Sequence, residues 1–316
     1  MIDFEKLKQE ASKQPINGVE IYGQEFLNQC LKESIIDRHT KYPGDQYVLT
    51  FDEDNNQYAP VMSLCNISTT IGPAKSKKTF FGTMIASALS ARDQYRFGMK
   101  CHLNDRKLLY IDTEQGQGHV QKILQRVWDI SATDTRMDIY AFRKFYDQQL
   151  RLALVENVLT QSKDKYSLVI IDGIVDLMKN YNDLTEAQAL TGKLLAWSEL
   201  FNCHINCVLH IAKTSAAARG HIGTELMNKS ETVFRLESDG NSSTVHCHYA
   251  RNRQFTSFEF MINQAALPCR LNYPQNTEPH ATINESQNGT EKELKSLQSE
   301  MNFNNQPKED EEELPF

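Results

Sequence analysis

Eight residues, Gly72 to Thr79, read GPAKSKKT. A glycine closing an apolar strand, a few variable residues and a final Lys-Thr ahead of an apolar helix suit a loop that holds phosphate. Backbone N–H groups at a helix N-terminus face the anion. A lysine reaches the outer phosphates and a hydroxyl holds Mg²⁺. Lys78 and Thr79 stand in those two places, behind a cradle of Gly72, Pro73, Ala74, Lys75, Ser76 and Lys77. One position departs from the pattern. Lys77 occupies the place of a second glycine, where backbone must approach phosphate. It fits only if its side chain points out of the loop.

Three further strand ends carry side chains that complete such a site. LVIIDG supplies Asp172, a carboxylate at the end of a buried strand suited to Mg²⁺. LLYIDTE supplies Glu114, a base that can align water. VLHIAK supplies His210, placed to sense the terminal phosphate. Each alone has a plain structural explanation, since acids at strand ends are often only solvated. Their order on alternating strands is what makes a nucleotide site the better reading.

The elements that must position them follow from periodicity. Residues 46–274 alternate apolar strands with amphipathic helices, which predicts an α/β sheet with right-handed crossovers. YSLVIIDG is a continuous apolar run, as a strand covered on both faces requires, and HINCVLHIAK reads as another buried strand. DQQLRLALVENVLTQS predicts a helix opening at a cap, Asp147. Residues 1–45 read as short amphipathic helices, with Ile21, Phe26, Leu27, Cys30 and Leu31 near helical spacing, and are expected to form a lid or an oligomerisation arm.

GPAKSKKT, YIDTE, LVIIDGIVDL and VLHIAKTSAAARGHIGTEL together resemble the core of RecA-like P-loop ATPases, in particular the RepA/DnaB-like helicase branch of plasmid and mobile-element proteins of the Bacteroidetes type. The likeness covers about residues 60–262. It implies a mostly parallel central sheet flanked by helices, ATP and Mg²⁺ as cofactors, and Lys77 as a tolerated variant. It implies catalytic roles for Glu114, Lys78 and His210, and a metal site of Thr79 and Asp172. ARNR resembles a late-strand basic pair that enters the neighbouring subunit's site, which makes Arg251 a nucleotide contact and Arg253 an arginine finger. By position, Lys179 in one loop and Lys213, Arg219 and His221 in another resemble DNA-contacting loops of a ring, expected to be a hexamer on single-stranded DNA. A nucleotide-switched adaptor that binds DNA without unwinding it is the alternative.

Charge adds a boundary. The chain carries a net charge of −7, and residues 275–316 hold ten acids against three lysines, which accounts for all of it. The domain before them is neutral, so overall acidity does not argue against a nucleic-acid partner. That polar segment predicts a disordered tail. Its end, EEELPF, resembles the tip of bacterial single-stranded-DNA-binding proteins, with Leu314, Pro315 and Phe316 expected to dock on a replication or repair partner. Seven widely spaced cysteines suit reduced thiols. Cys203, Cys207, His246 and His248 lie in strand-like runs whose neighbours face opposite ways, so buried structural cysteines are preferred over zinc. No apolar run approaches a membrane span and the N-terminus is polar, so a cytoplasmic location is expected.

Overall fold

The protein is described from a computed structural model, which defines residues 22–40, 46–102, 105–211 and 220–273. The tail, with Leu314, Pro315 and Phe316, lies outside the described residues, and so do Lys213 and Arg219.

The chain divides into two compact units, Met1–Gln46 and Tyr47–Phe316. In the first, helix α1 (Gln24–Ser34) buries none of its residues, and Leu31, Ile35 and Ile36 are exposed. Of the apolar residues read at helical spacing, Phe26, Leu27 and Cys30 are half-buried on this helix, Leu31 is exposed, and Ile21 lies outside the described residues.

The second unit is built on two sheets. The smaller is antiparallel, in the order β2-β1-β5-β4: β1 (Tyr47–Glu53), β2 (Gln57–Ser63), β4 (Tyr95–Arg96) and β5 (Met99–Cys101). The larger has nine strands in the order β13-β12-β11-β10-β3-β9-β8-β6-β7. Its strands are β3 (Ile67–Gly72), β6 (Lys107–Asp112), β7 (Met137–Ala141), β8 (Tyr166–Asp172), β9 (His204–His210), β10 (Thr232–Ser238), β11 (Ser242–Ala250), β12 (Phe258–Ile262) and β13 (Pro268–Arg270). From β10 to β7 every pairing is parallel, whereas β10 through β13 are antiparallel. This is the mixed, mostly parallel α/β sheet flanked by helices that the resemblance implies.

Alternation explains the layers. On β6, Leu108 and Tyr110 face one core while Leu109 and Ile111 face the other, and on β8 Leu168 and Ile170 oppose Val169 and Ile171. Both faces are apolar because both are covered. One face carries α2 (Lys78–Ser90), α3 (Gln117–Ser131) and the small sheet. The other carries α4 (Gln148–Gln161), α5 (Leu184–Leu200) and α6 (Gly220–Lys229). Helix α4 buries Arg151, Val155 and Leu159, one per turn, and starts where Asp147 accepts the Leu150 N–H at 2.7 Å.

An aromatic cluster pins α2 in place. Phe81 lies 5.4 Å from Phe234 of β10, and Phe51 of the small sheet meets Phe255 at 5.0 Å and Phe258 at 5.6 Å, both edge-on. Truncating one such ring costs about 3–5 kcal/mol. Because Phe81 lies two residues beyond Thr79 on the same helix, this packing fixes where Lys78 and Thr79 lie. The β1–β2 hairpin and the β4–β5 pair were not expected from the sequence, yet β1 supplies Phe51 to that cluster.

Candidate active site

The C-terminal ends of β3, β9, β8 and β6 lie side by side. Gly72 is in register with His210, and Asp172 with Asp112. Sequence-distant residues are gathered there because parallel strands in register share one edge.

The loop Pro73–Lys77 joins β3 to α2. Gly72 is required by close approach: a Cβ there would lie 2.7 Å from the Leu236 backbone oxygen and 2.5 Å from Ser76 Oγ. Lys77 has φ 63° and ψ 31°, the left-handed conformation that a glycine would adopt without strain. A non-glycine residue there costs roughly 1–2 kcal/mol. The offset is visible. Lys77 Nζ donates to Ser242 O at 3.0 Å, Ser238 Oγ at 3.1 Å, Ser243 Oγ at 3.2 Å and Gly240 O at 3.4 Å. The side chain leaves the loop, as expected, but ends on the β10–β11 hairpin and not in water. Ser243 Oγ also donates to Ser76 O at 3.2 Å, so the hairpin braces the loop twice. Lys75 is exposed, with φ 68°.

Lys78 is buried. Its ammonium donates to Gly72 O at 2.8 Å, Pro73 O at 2.9 Å and His210 Nδ1 at 2.9 Å. Burial lowers its pKa to about 8, against the attraction of Asp172 and Glu114. Because Lys78 makes Nδ1 an acceptor, the imidazole proton resides on Nε2, which faces Glu114 Oε2 at 3.3 Å. His210 is thus a bridge between the phosphate-loop lysine and the glutamate. This hydrogen bond, more than burial opposes it, holds the Glu114 carboxyl below its usual range.

Thr79 Oγ1 donates to Asp172 Oδ2 at 2.8 Å, and so does the Tyr110 hydroxyl. Burial pushes the Asp172 pKa up, opposed by these two bonds. Sequence reading missed Tyr110, which carries no motif signal, being one apolar-strand residue among several. It also passed over Asp112. Asp112 Oδ1 accepts the Glu114 N–H at 2.9 Å and the Gln115 N–H at 2.6 Å, and Oδ2 accepts Gln115 Nε2 at 2.9 Å. This Asx-type turn aims Glu114. The aspartate two residues before the glutamate in YIDTE was the available signal. Burial raises Asp112 to about 6, against those backbone bonds. Gly173, at φ 100°, lets Thr113 approach, since a Cβ there would lie 2.2 Å from Thr113 Oγ1.

The residues fit a magnesium nucleotide. Ser76 Oγ is buried within the loop and has no hydrogen-bond partner. Helix α2 has no side-chain cap, whereas α4 and α5 are capped by Asp147 and Asp183. An uncapped N-terminus beside a buried lysine suits an anion. Thr79 and Asp172 offer the oxygen donors that a hard cation takes.

Other expected residues lie elsewhere. Arg251 and Arg253 are exposed, and Arg251 N pairs with Glu231 O while its guanidinium reaches Asn66 Oδ1 at 3.3 Å. Asn66 precedes β3, so this pair sits at the opposite end of the sheet from Gly72. The six residues of β3 put about 20 Å between them, and the pair does not reach its own chain's loop. Lys179 and His221 are exposed on adjoining segments: Ile222 N donates to Tyr181 O at 3.5 Å. Cys203 and Cys207 are buried free thiols, and among the described residues no cluster of metal-ligating side chains occurs.

A family model described as an AAA domain matches residues 50–216, the stretch that holds the phosphate loop, Glu114, Asp172 and His210. No curated protein matches the chain. Among solved structures, the crystal structure of the RadB recombinase is similar over 65% of this chain and 90% of that one, with 14% identity and a TM-score of 0.46.

Proposed function

The chain belongs to the AAA-domain family, and on that premise we propose that it is an ATP-hydrolysing RecA-like motor, assembled as a ring and acting as a helicase or translocase on single-stranded DNA of a plasmid or mobile element. The observation that carries this reading is the Lys78–His210–Glu114 bridge. It joins the phosphate-loop lysine and the water-aligning carboxylate to the last residue of β9, which leads into the segment holding Lys213 and Arg219.

Bound Mg²⁺–ATP supplies the phosphoanhydride and the cation. Lys78 and the α2 N-terminus hold the phosphates, and Thr79 with Asp172 hold the cation. Glu114, aimed by Asp112, orients the attacking water and receives its proton. His210 gives up Lys78 when phosphate takes the ammonium, and its hold on Glu114 changes with it. Arg253 acts on a neighbouring copy, because its own loop is out of reach. The arm at 1–45 and the tail at 275–316, with its Leu314–Pro315–Phe316 tip, serve as accessory contacts.

The test is ATP turnover with and without single-stranded DNA, alongside the mass of the nucleotide-bound assembly. DNA stimulation from an oligomer is expected. Turnover indifferent to DNA would overturn the motor reading and leave an ATPase. Mixing Arg253→Ala with Glu114→Gln chains tests action in trans. Partial recovery of turnover is expected, because some interfaces then pair an intact Glu114 with an intact Arg253. No recovery would remove Arg253 from the mechanism.

A further inference from the structure

We infer that the loop from β7 to α4 is a further single-stranded nucleic-acid contact, with Tyr146 as a stacking platform and Arg143 and Lys144 meeting phosphates. This rests on the reading that the chain acts on DNA, and adds a site apart from the loops after β8 and β9.

Position comes first. Ala141, the last residue of β7, is in register with Asp112, which is in register with Asp172. Residues 142–147 therefore leave the sheet at the same edge as Glu114 and Asp172. They emerge two strands from β8, about 10 Å away.

The loop is anchored by its apolar residues and presents the rest. Phe142 is buried and meets Phe145 edge-on at 6.1 Å. Arg143 and Lys144 are exposed, and Tyr146 is 89% exposed. A large aromatic ring so open to water gains nothing for folding, but it offers a face to any base, and cations beside it suit phosphates. Nearby carboxylates are engaged: Asp147 caps α4, and Asp176 pairs with Arg151 at 3.6 Å.

The loop is also held in shape. Arg151 is buried, and its guanidinium donates to Phe145 O at 2.6 Å, Arg143 O at 3.3 Å and Asp176 O at 3.3 Å. Asp176 lies in the 3₁₀ turn Ile174–Leu177, just before Lys179. One guanidinium thus sets the spacing between the Tyr146 loop and the segment carrying Lys179. The nucleotide site uses none of Arg143, Lys144 or Tyr146, so replacing them leaves hydrolysis without DNA intact.

The test is fluorescence anisotropy of a labelled oligothymidylate with the full chain, in a non-hydrolysable ATP analogue and over a salt series. Tyr146→Ala is expected to weaken binding on the order of tenfold, the loss of one stacked base. The Arg143→Ala/Lys144→Ala double variant is expected to lower the salt slope by about 1.4, the loss of two single-strand phosphate contacts. Variants that bind with wild-type affinity and slope would overturn the inference and leave the DNA reading standing. Variants that change only the assembly mass would overturn it too, by making the loop a contact between copies. A wild-type chain that does not bind the oligonucleotide would overturn both.

Discussion

Strand β9 begins and ends in histidine, and the two are held in opposite ways. His204, at the N-terminal end, is fully buried. Its Nδ1 donates to Ser63 O at 2.7 Å and its Nε2 meets Ser68 Oγ at 2.7 Å. Burial lowers its pKa, against the pull of Glu231. Around it, Ser68 accepts from Asn206, and Glu231 accepts from Ser63 and Asn252. Every partner belongs to the fold. His210, at the C-terminal end, is partly exposed, and its partners are Lys78 and Glu114, groups for which phosphate and water compete. A hydrogen bond among fixed groups stabilises a fold. A hydrogen bond to a group that a ligand also wants makes a switch.

Substitutions can break this contrast. Glu114→Gln is expected to lower turnover about 10²–10⁴-fold while nucleotide binding is retained, measured by single-turnover hydrolysis beside a binding titration. Equal loss of binding would make Glu114 a ligand group and not the base. His204→Ala is expected to cost about 2–4 kcal/mol of stability, from a cavity and two stranded polar partners, with turnover per folded molecule unchanged. Chemical denaturation measures it. His210→Ala is the mirror image. Stability should move by less than about 1 kcal/mol, the worth of a typical net hydrogen bond, while turnover falls on the order of tenfold. If the two histidines exchange these outcomes, the assignment of the two sheet ends is wrong.

Acidity sharpens the contrast. Lys78 loses its proton near pH 8 in the folded chain, below the usual 10.5. Between those values the unfolded chain holds the extra proton, so stability of the nucleotide-free protein rises with pH there. Nucleotide affinity does the reverse, since phosphate needs the ammonium, and falls by up to about tenfold per pH unit above that point. Calorimetric titration across that range checks the sign. The smallest effect belongs to Lys77→Gly. It removes roughly 1–2 kcal/mol of backbone strain and also the hairpin anchor, so net stability should change little and turnover should stay near normal. A large loss of turnover would mean that the hairpin brace sets the loop for catalysis.

Much of the fold was legible because buried parallel strands are largely apolar runs, as in YSLVIID and, between its two histidines and around Asn206, HINCVLH. The small sheet was not legible, because β4 and β5 have two and three residues and too few alternations to show a period. Of the site, Lys78, Thr79, Glu114, Asp172 and His210 could be read from motif and strand-end position. Tyr110 could not, since a tyrosine in an apolar strand looks like core until a neighbouring carboxylate is known. Arg151 was hidden in the same way. On a helix it reads as solvent-facing, yet it is buried and holds two loops.

The amino-acid sequence by itself determined the phosphate loop, the alternation of strands and helices in the large sheet, and the acids at strand ends, because these depend on spacing along the chain. Tertiary structure alone decided three things. It sent Lys77 to the hairpin around Ser242, it made His210 the bridge between Lys78 and Glu114, and it placed Arg251 and Arg253 at the far end of the sheet. Each depends on which strands lie side by side and in what register, and those contacts join residues far apart in the chain, 165 positions for Lys77 and Ser242 and 185 for Asn66 and Arg251. Local spacing carries no record of such contacts, since strand order in a parallel sheet is settled by how the helices cover its two faces.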